Sequence, residues 1–335
     1  MATFKGHLKK SLIGVLVLTA LVMLSQAGAQ QKKPEVPYVP TPEEVVEEML
    51  RIAHVGENDV LYDLGCGDGR IVITAAKKFG CRGVGIDIDP QRIKESRENA
   101  IKEGVSKRVQ FYQMDLFEAD ISEATVVTLY LLSKVNLRLR PKLFKELNPG
   151  TRVVSHAFNM GNWEPDTSSS VRTSDYWNEY IVDYWDEYSV NYWDFHMVYF
   201  WVIPANASGT WKLRIQDIPG SNELTLKFDQ EFQQVTGKAI DGNSSIPVYI
   251  KDGKIKGNML QFTIDRKRRG STESMHFEGF VQGNIMQGTL EIEGSPGKKK
   301  IKWKAMRDIL TLRSIINSDS SGMESFYTQN KKQVP

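Results

Sequence analysis

Residues 60–70 read Val-Leu-Tyr-Asp-Leu-Gly-Cys-Gly-Asp-Gly-Arg. A short apolar run ends in an acid, Asp63, and glycines follow at positions 65, 67 and 69. Residues 71–79 then carry helical patterning. A buried strand that runs into a glycine turn and restarts as a helix leaves few folds open. Glycines let the backbone come close to a ligand and adopt positive φ where needed. The helix start adds unsatisfied N–H groups, so the turn is a cradle for a nucleotide-like cofactor. The spacing is G-x-G-x-G. Arg70 stands where the third glycine of the dinucleotide pattern would fall, which argues against a nicotinamide dinucleotide.

Three further segments fit the same plan. Residues 83–90 (Gly-Val-Gly-Ile-Asp-Ile-Asp-Pro) read as a second buried strand. Its acid, Asp87, lies roughly 20 residues past the turn, where a ribose-binding carboxylate belongs. Residues 109–117 give a third strand with another acid, Asp115, and residues 125–132 a fourth. Up to about residue 156 strand and helix alternate, which predicts a parallel α/β sheet with helices on both faces. Asp63, Asp87, Asp115 and Tyr130 all fall at or near strand carboxyl ends, the ligand-binding edge of such sheets. Residues 42–51 read as a helix, with Thr41 as N-cap and Pro42 at its first position.

The order of these pieces resembles class I S-adenosylmethionine (SAM) methyltransferases, which have a Rossmann-like sheet. Tyr38-Val-Pro-Thr-Pro42, the glycine block, residues 83–90, Asn136-Leu-Arg-Leu-Arg-Pro141 and Gly150-Thr-Arg-Val-Val-Ser-His156 occur together here. That combination is similar to a bacterial group related to the mitochondrial lysine methyltransferases acting on the ATP synthase c-subunit and the adenine nucleotide translocase. The resemblance covers residues 36–165 and again 198–205. It implies a SAM-dependent methyltransferase, with cofactor contacts at Thr41, Asp63, Gly65, Gly67, Gly69, Asp87, Asp115 and Leu116. Asp115 would accept from the adenine amino group, with Met114 and Leu116 covering the ring. Methyl transfer is an in-line displacement on an already activated methyl group, so the protein mainly supplies position and electrostatics. Tyr130 and His156 are the candidates to line the acceptor site. A protein lysine amine is the leading methyl acceptor and a small molecule the alternative. A second reading is an exported binding protein whose methyltransferase fold is catalytically silent. Intact acids at 63, 87 and 115 favour turnover.

Several function classes are disfavoured. The net charge of +2 gives no footprint for a nucleic-acid partner. No metal-ligand cluster, Ser-His-Asp set or P-loop spacing occurs. The basic runs 266–269 and 298–300 read as solvated hairpin loops. Cys66 and Cys81 flank a helix about 15 Å long, too far for a disulfide.

Beyond the first 205 residues the organisation changes. Residues 1–29 read as a signal peptide: Lys5, Lys9 and Lys10, an apolar run over 12–24, and Ala27-Gly-Ala29 as cleavage site. This predicts export, periplasmic or membrane-associated, in tension with the cytosolic origin of SAM. Residues 30–205 form the methyltransferase domain, carrying an aromatic tandem repeat of period eight over 175–198 that offers a surface for a ligand or partner. Residues 209–308 alternate apolar and polar with turn signals at Asp241-Gly-Asn, Asp252-Gly and Gln282-Gly-Asn. They predict a small antiparallel β-barrel or sandwich, opened by Gly209-Thr-Trp211 as in lipocalin-like barrels. Residues 309–335 read as a poorly ordered tail.

Overall fold

A computed structural model describes residues 33–173, 195–215, 223–241, 246–268, 271–293 and 300–315. The signal-like segment and residues 174–194 of the aromatic repeat lie outside the described residues. In the first half the strands are β1 (Val60–Leu64), β2 (Arg82–Asp87), β3 (Val109–Gln113), β4 (Val126–Leu129), β5 (Arg152–His156), β6 (Thr167–Arg172) and β7 (Phe195–Val202). The helices are α1 (Glu43–Ile52), α2 (Arg70–Phe79), α3 (Pro90–Lys102) and α4 (Ser133–Glu146). The strands form one sheet in the order β3-β2-β1-β4-β5-β7-β6. β1 to β5 are parallel, while β7 runs antiparallel to both β5 and β6. The expected parallel sheet is therefore closed by an antiparallel hairpin, and the aromatic repeat occupies its connection and the start of β7.

β1 is central and buried at all five positions, which is why its sequence is continuously apolar apart from Asp63. Leu61, Val126 and Val154 point to the face covered by α1, α2 and α3. Ser155 points to the opposite face, where Asn136 of α4 donates to its Oγ at 3.3 Å. Helices thus cover both faces, as expected. One connection differs: β3 passes to β4 through turns with no helix. α1 buries Val45, Val46, Met49 and Leu50, spaced as one helical face. Its N-cap is Pro42, whose carbonyl accepts from Val45 and Val46, so Thr41 is not the cap expected from the sequence. Asp89 does cap α3, accepting from the Gln91 N–H at 2.8 Å.

The second half is a closed eight-stranded antiparallel barrel: β8 (Gly209–Ile215), β9 (Leu224–Glu231), β10 (Gln234–Asp241), β11 (Val248–Lys256), β12 (Met259–Arg268), β13 (Ser271–Gln282), β14 (Ile285–Ile292) and β15 (Ile301–Arg307). Closure is completed by β15 pairing with β8. The interior is filled: Phe262 and Phe277 stack with centroids 4.6 Å apart, and Trp303 meets both edge-on. Gly279 makes room for Trp303, since a Cβ there would stand 2.5 Å from the indole. Arg307 lies over the Trp211 ring at 4.3 Å and donates to the carbonyls of Asn206, Ser208 and Gly283, tying the last strand to the first.

Three local expectations are corrected. Asp252-Gly253 is not a hairpin turn. It is a bulge inside β11, where the register with β12 shifts between Lys251 and Lys254, and the chain reverses after Lys256 instead. Residues 266–268 belong to β12 and not to a loop. Residues 309–315 are not loose: a 3-10 turn (Ile309–Thr311) follows the barrel, Thr311 Oγ1 accepts from the Thr210 N–H at 2.7 Å, and Ile315 is buried.

The barrel docks at the amino ends of the parallel strands. Gly150, just before β5, donates to Ile203 just after β7. Ala205 donates to Gly257 at 2.7 Å, Gln233 Nε2 to the Glu164 carbonyl at 2.9 Å, and Phe232 packs on Phe144 and Trp163. The opposite, carboxyl edge carries the candidate site.

Candidate active site

The glycine turn folds as its composition requires. Gly65, Gly67 and Gly69 have φ of 87, 53 and 81°, values that side chains resist. The N–H groups of Gly65 and Cys66 bond the Ile86 carbonyl at 2.8 and 3.0 Å, locking the turn onto β2. Gly67 cannot be replaced cheaply, because a Cβ would lie 2.5 Å from the Tyr38 ring. Asp87, ending β2, accepts from the Gly67 N–H through one oxygen and from the Asp89 N–H through the other, both at 2.9 Å. Burial pushes its carboxyl pKa up against those two donors. A carboxylate has about four lone-pair sites, so two backbone bonds fix its position and leave acceptor capacity for hydroxyls.

Asp63, at 2% exposure, accepts from Thr128 Oγ1 at 2.8 Å. Burial pushes its carboxyl up to about 7, with Asp87 and Asp68 pushing the same way against the Thr128 bond. Neighbouring Asp68 goes the other way: burial opposes its charge, but the fork of Arg70 outweighs it and holds it below the usual range. Arg70 also donates to the Thr41 carbonyl at 2.8 Å, and Arg92 stacks on Tyr38 at 4.4 Å. The Tyr38–Pro42 segment is thereby fastened over the glycine turn. Asp115 sits just past β3, its Oδ1 accepting from the Phe117 N–H at 2.9 Å, with Met114 exposed and Leu116 half-buried beside it. Asp63, the glycine turn, Asp87 and Asp115 thus line the carboxyl ends of three adjacent strands.

Tyr130 follows β4 and His156 ends β5. Their rings pack with centroids 3.9 Å apart. His156 is fully buried rather than open to a cleft. Its Nδ1 lies 3.5 Å from Thr41 Oγ1, and its Nε2 lies 2.9 Å from Nδ1 of His196 on β7. Burial, with a smaller contribution from His196, brings the His156 pKa down to about 3, and burial pushes Tyr130 up to about 12. His196 was missed by sequence reasoning, as were Arg92 and Thr128, and Tyr38 was read only as part of a motif. A signal for His196 existed. The first two repeat copies carry Glu-Tyr at their fifth and sixth positions, and the third carries Phe195-His196. Cys66 and Cys81 are both free, as expected. Among the described residues no group of His, Cys, Asp and Glu is arranged to hold a metal.

The residues present fit a SAM-type ligand. The cradle excludes a Cβ at Gly67, one acid is fixed by backbone donors beside it, and a buried acid behind it is held at the border of ionisation. Comparison with known proteins agrees. The ANTKMT methyltransferase domain family model matches residues 63–167. A protein-lysine N-methyltransferase of Saccharolobus islandicus is 58% identical over 133 residues, 39% of this chain and 83% of the relative. The human lysine N-methyltransferase of the ATP synthase c-subunit is 33% identical over 162 residues, 48% of this chain and 69% of that protein. A solved structure described as an RNA methyltransferase from Salinibacter ruber in complex with S-adenosyl-L-homocysteine is 54% identical, covering 49% of this chain and 93% of its own, with a TM-score of 0.41. None of these covers more than about half of the chain, and the family model's match ends before the barrel begins. The chain belongs to the methyltransferase family that includes these lysine N-methyltransferases, and it is a SAM-dependent methyltransferase.

Proposed function

We propose that the acceptor is a lysine amine of a protein. The observation that carries this reading is the 58% identity over 133 residues to a protein-lysine N-methyltransferase. When bound, SAM supplies a methyl group already activated by its sulfonium. In this reading Asp87 takes the ribose hydroxyls, and Gly65, Gly67 and Gly69 bring the backbone against the cofactor. Asp115 and Leu116 take the adenine, while Thr41 and the segment it belongs to close over the turn. Asp63 holds the base of the site. Tyr130 stands at the end of β4, beside the acceptor, with the buried ring of His156 packed behind it. Tyr130 keeps its phenolic proton at neutral pH and His156 stays uncharged, so neither repels a cationic lysine. Burial beside these rings favours the neutral amine over the ammonium.

The test is labelling. Purified protein with [methyl-3H]SAM is offered membrane protein, total RNA and a small-molecule extract. Label in protein, mapped by mass spectrometry to a lysine side chain, is the expected result. Label in RNA or only in small molecules overturns the reading. We also propose that the N-terminal segment directs export or tethering, with cleavage after Ala29. N-terminal sequencing that finds Met1 intact in a soluble cytosolic fraction overturns it.

A further inference from the structure

Four groups, beginning with Thr41 at the rim of the cofactor cradle, lead from the ends of the central strands to the surface. Thr41 and His156 are buried, at 3% and 0% exposure. His196 is half-buried on β7, and Glu44 is half-buried on α1. The steps between them are Thr41 Oγ1 to His156 Nδ1 at 3.5 Å and His156 Nε2 to His196 Nδ1 at 2.9 Å. Glu44 then acts electrostatically on His196. A fully buried imidazole with partners at both nitrogens passes a proton on without storing one. Each nitrogen is donor in one tautomer and acceptor in the other, so taking a proton at Nδ1 releases one at Nε2.

We propose that Thr41, His156, His196 and Glu44 are a proton exit path that carries away the proton an amine acceptor must lose. This rests on the lysine reading above. The acceptor R–NH3+ gives one proton to the Thr41 hydroxyl, whose own proton moves to His156 Nδ1. The Nε2 proton of His156 moves to His196 Nδ1, and His196 releases its Nε2 proton to water beside Glu44. The freed nitrogen lone pair forms the N–C bond, and the S–C bonding pair stays on sulfur. Glu44 also lines a surface groove between α1 and β6 together with Val171, which gives the path an outlet. The groups facing His196 are few. β5 presents His156, α1 presents Glu44, and β6 presents Val171 at the paired position, while Glu48 and Arg172 line the same groove as Glu44. Burial keeps both imidazoles neutral, hence ready to accept, and Glu44 partly offsets this at His196. His156 and His196 are positioning and relay residues, since neither needs to touch the methyl.

The test uses the full chain, poly-L-lysine as acceptor and [methyl-3H]SAM, across pH 5–9. With the path intact, the rate rises through the dyad's own titration, below the ordinary histidine range, and is flat above it. His196→Gln should lose about 100-fold at pH 7. Its rate should then climb tenfold per pH unit, because the variant depends on amine that is already deprotonated, so the deficit shrinks towards pH 9. SAM affinity by calorimetry should not change. Glu44→Gln should move the acid limb to lower pH, because it removes a charge that favours protonated His196. A second readout needs no turnover. In 15N-histidine NMR spectra of the unliganded protein, His156 and His196 should show a coupling across their N–H···N bond and titrate together, and Glu44→Gln should lower that titration. A loss in His196→Gln that is the same at every pH overturns the path, as do independent titrations of the two rings. A parent protein that binds SAM but leaves poly-L-lysine unlabelled overturns the amine reading, and the path with it.

Discussion

Inside the barrel, the rings of Phe228, Phe262, Phe277 and Trp303 pack against one another. At the carboxyl edge of the mixed sheet, Asp63, Thr128, Ser155 and His156 are packed at 2% exposure or less. Both regions exclude water, yet to different ends. The barrel's burial is apolar and stabilises directly. A deeply placed cation, Arg307, sits at the end of the barrel with three carbonyl partners. The sheet edge buries groups that would rather be solvated, and it holds them with few hydrogen bonds: Thr128 on Asp63, Thr41 and His196 on His156. Such sites lower stability in exchange for chemistry. The difference teaches where ligand binding should be sought, at the edge that pays a desolvation cost and not in the larger apolar interior.

Substitutions can break or sharpen this contrast. The largest effect is expected in the barrel. Trp303→Ala removes a fully packed indole and should cost about 3–5 kcal/mol in a denaturant titration, with SAM affinity unchanged. A loss of affinity in that variant would mean that barrel and site are coupled.

Next comes Asp63→Asn, which should act in the opposite direction. The carboxyl moves from its ordinary 3.8 to about 7 in the folded state. The native protein therefore binds more protons than the unfolded chain between about pH 4 and 7. Stability falls as pH rises through that window, and the full penalty, approaching about 4 kcal/mol, applies above it. Asp63→Asn should raise the unliganded protein's stability at pH 8 by a good part of that, have no effect near pH 4, and weaken SAM binding. Equal effects at both pH values would show that Asp63 is not buried as an acid.

Asp87→Ala follows, with about 2–4 kcal/mol of SAM binding lost and the barrel's unfolding unaltered. Calorimetry finding parental affinity would remove Asp87 from the cofactor assignment. The smallest effect concerns the joint between the halves. Residues 205–315 expressed alone should fold with a β-type circular dichroism spectrum and a cooperative transition. Their stability should be lower by about 1–2 kcal/mol, because Phe232 loses Phe144 and Trp163. An unfolded fragment would show that the barrel depends on its docking.

The cofactor edge was legible in the sequence because its parts are local. A glycine turn, an acid ending a strand and an acid some 20 residues on are fixed by backbone geometry within one βαβ unit. Asp63, the three glycines, Asp87 and Asp115 therefore stood out before any fold was known, and the barrel's alternation was equally plain because strands have a period of two. What no local pattern carried was decided by tertiary contact. Thr41 reads as a helix cap and is instead a partner of His156, 115 residues away. Asp252-Gly253 reads as a turn and is a bulge, since barrel closure needs a local bend more than a reversal there. His196 lies in the last copy of the aromatic repeat and becomes significant only because β7 inserts antiparallel beside β5 and sets it against His156. Sequence determined which residues stand in the glycine turn and at the strand ends, through short-range backbone constraints. Only the tertiary structure decided which distant side chains share protons, because that depends on strand order and burial, which no short stretch of chain encodes.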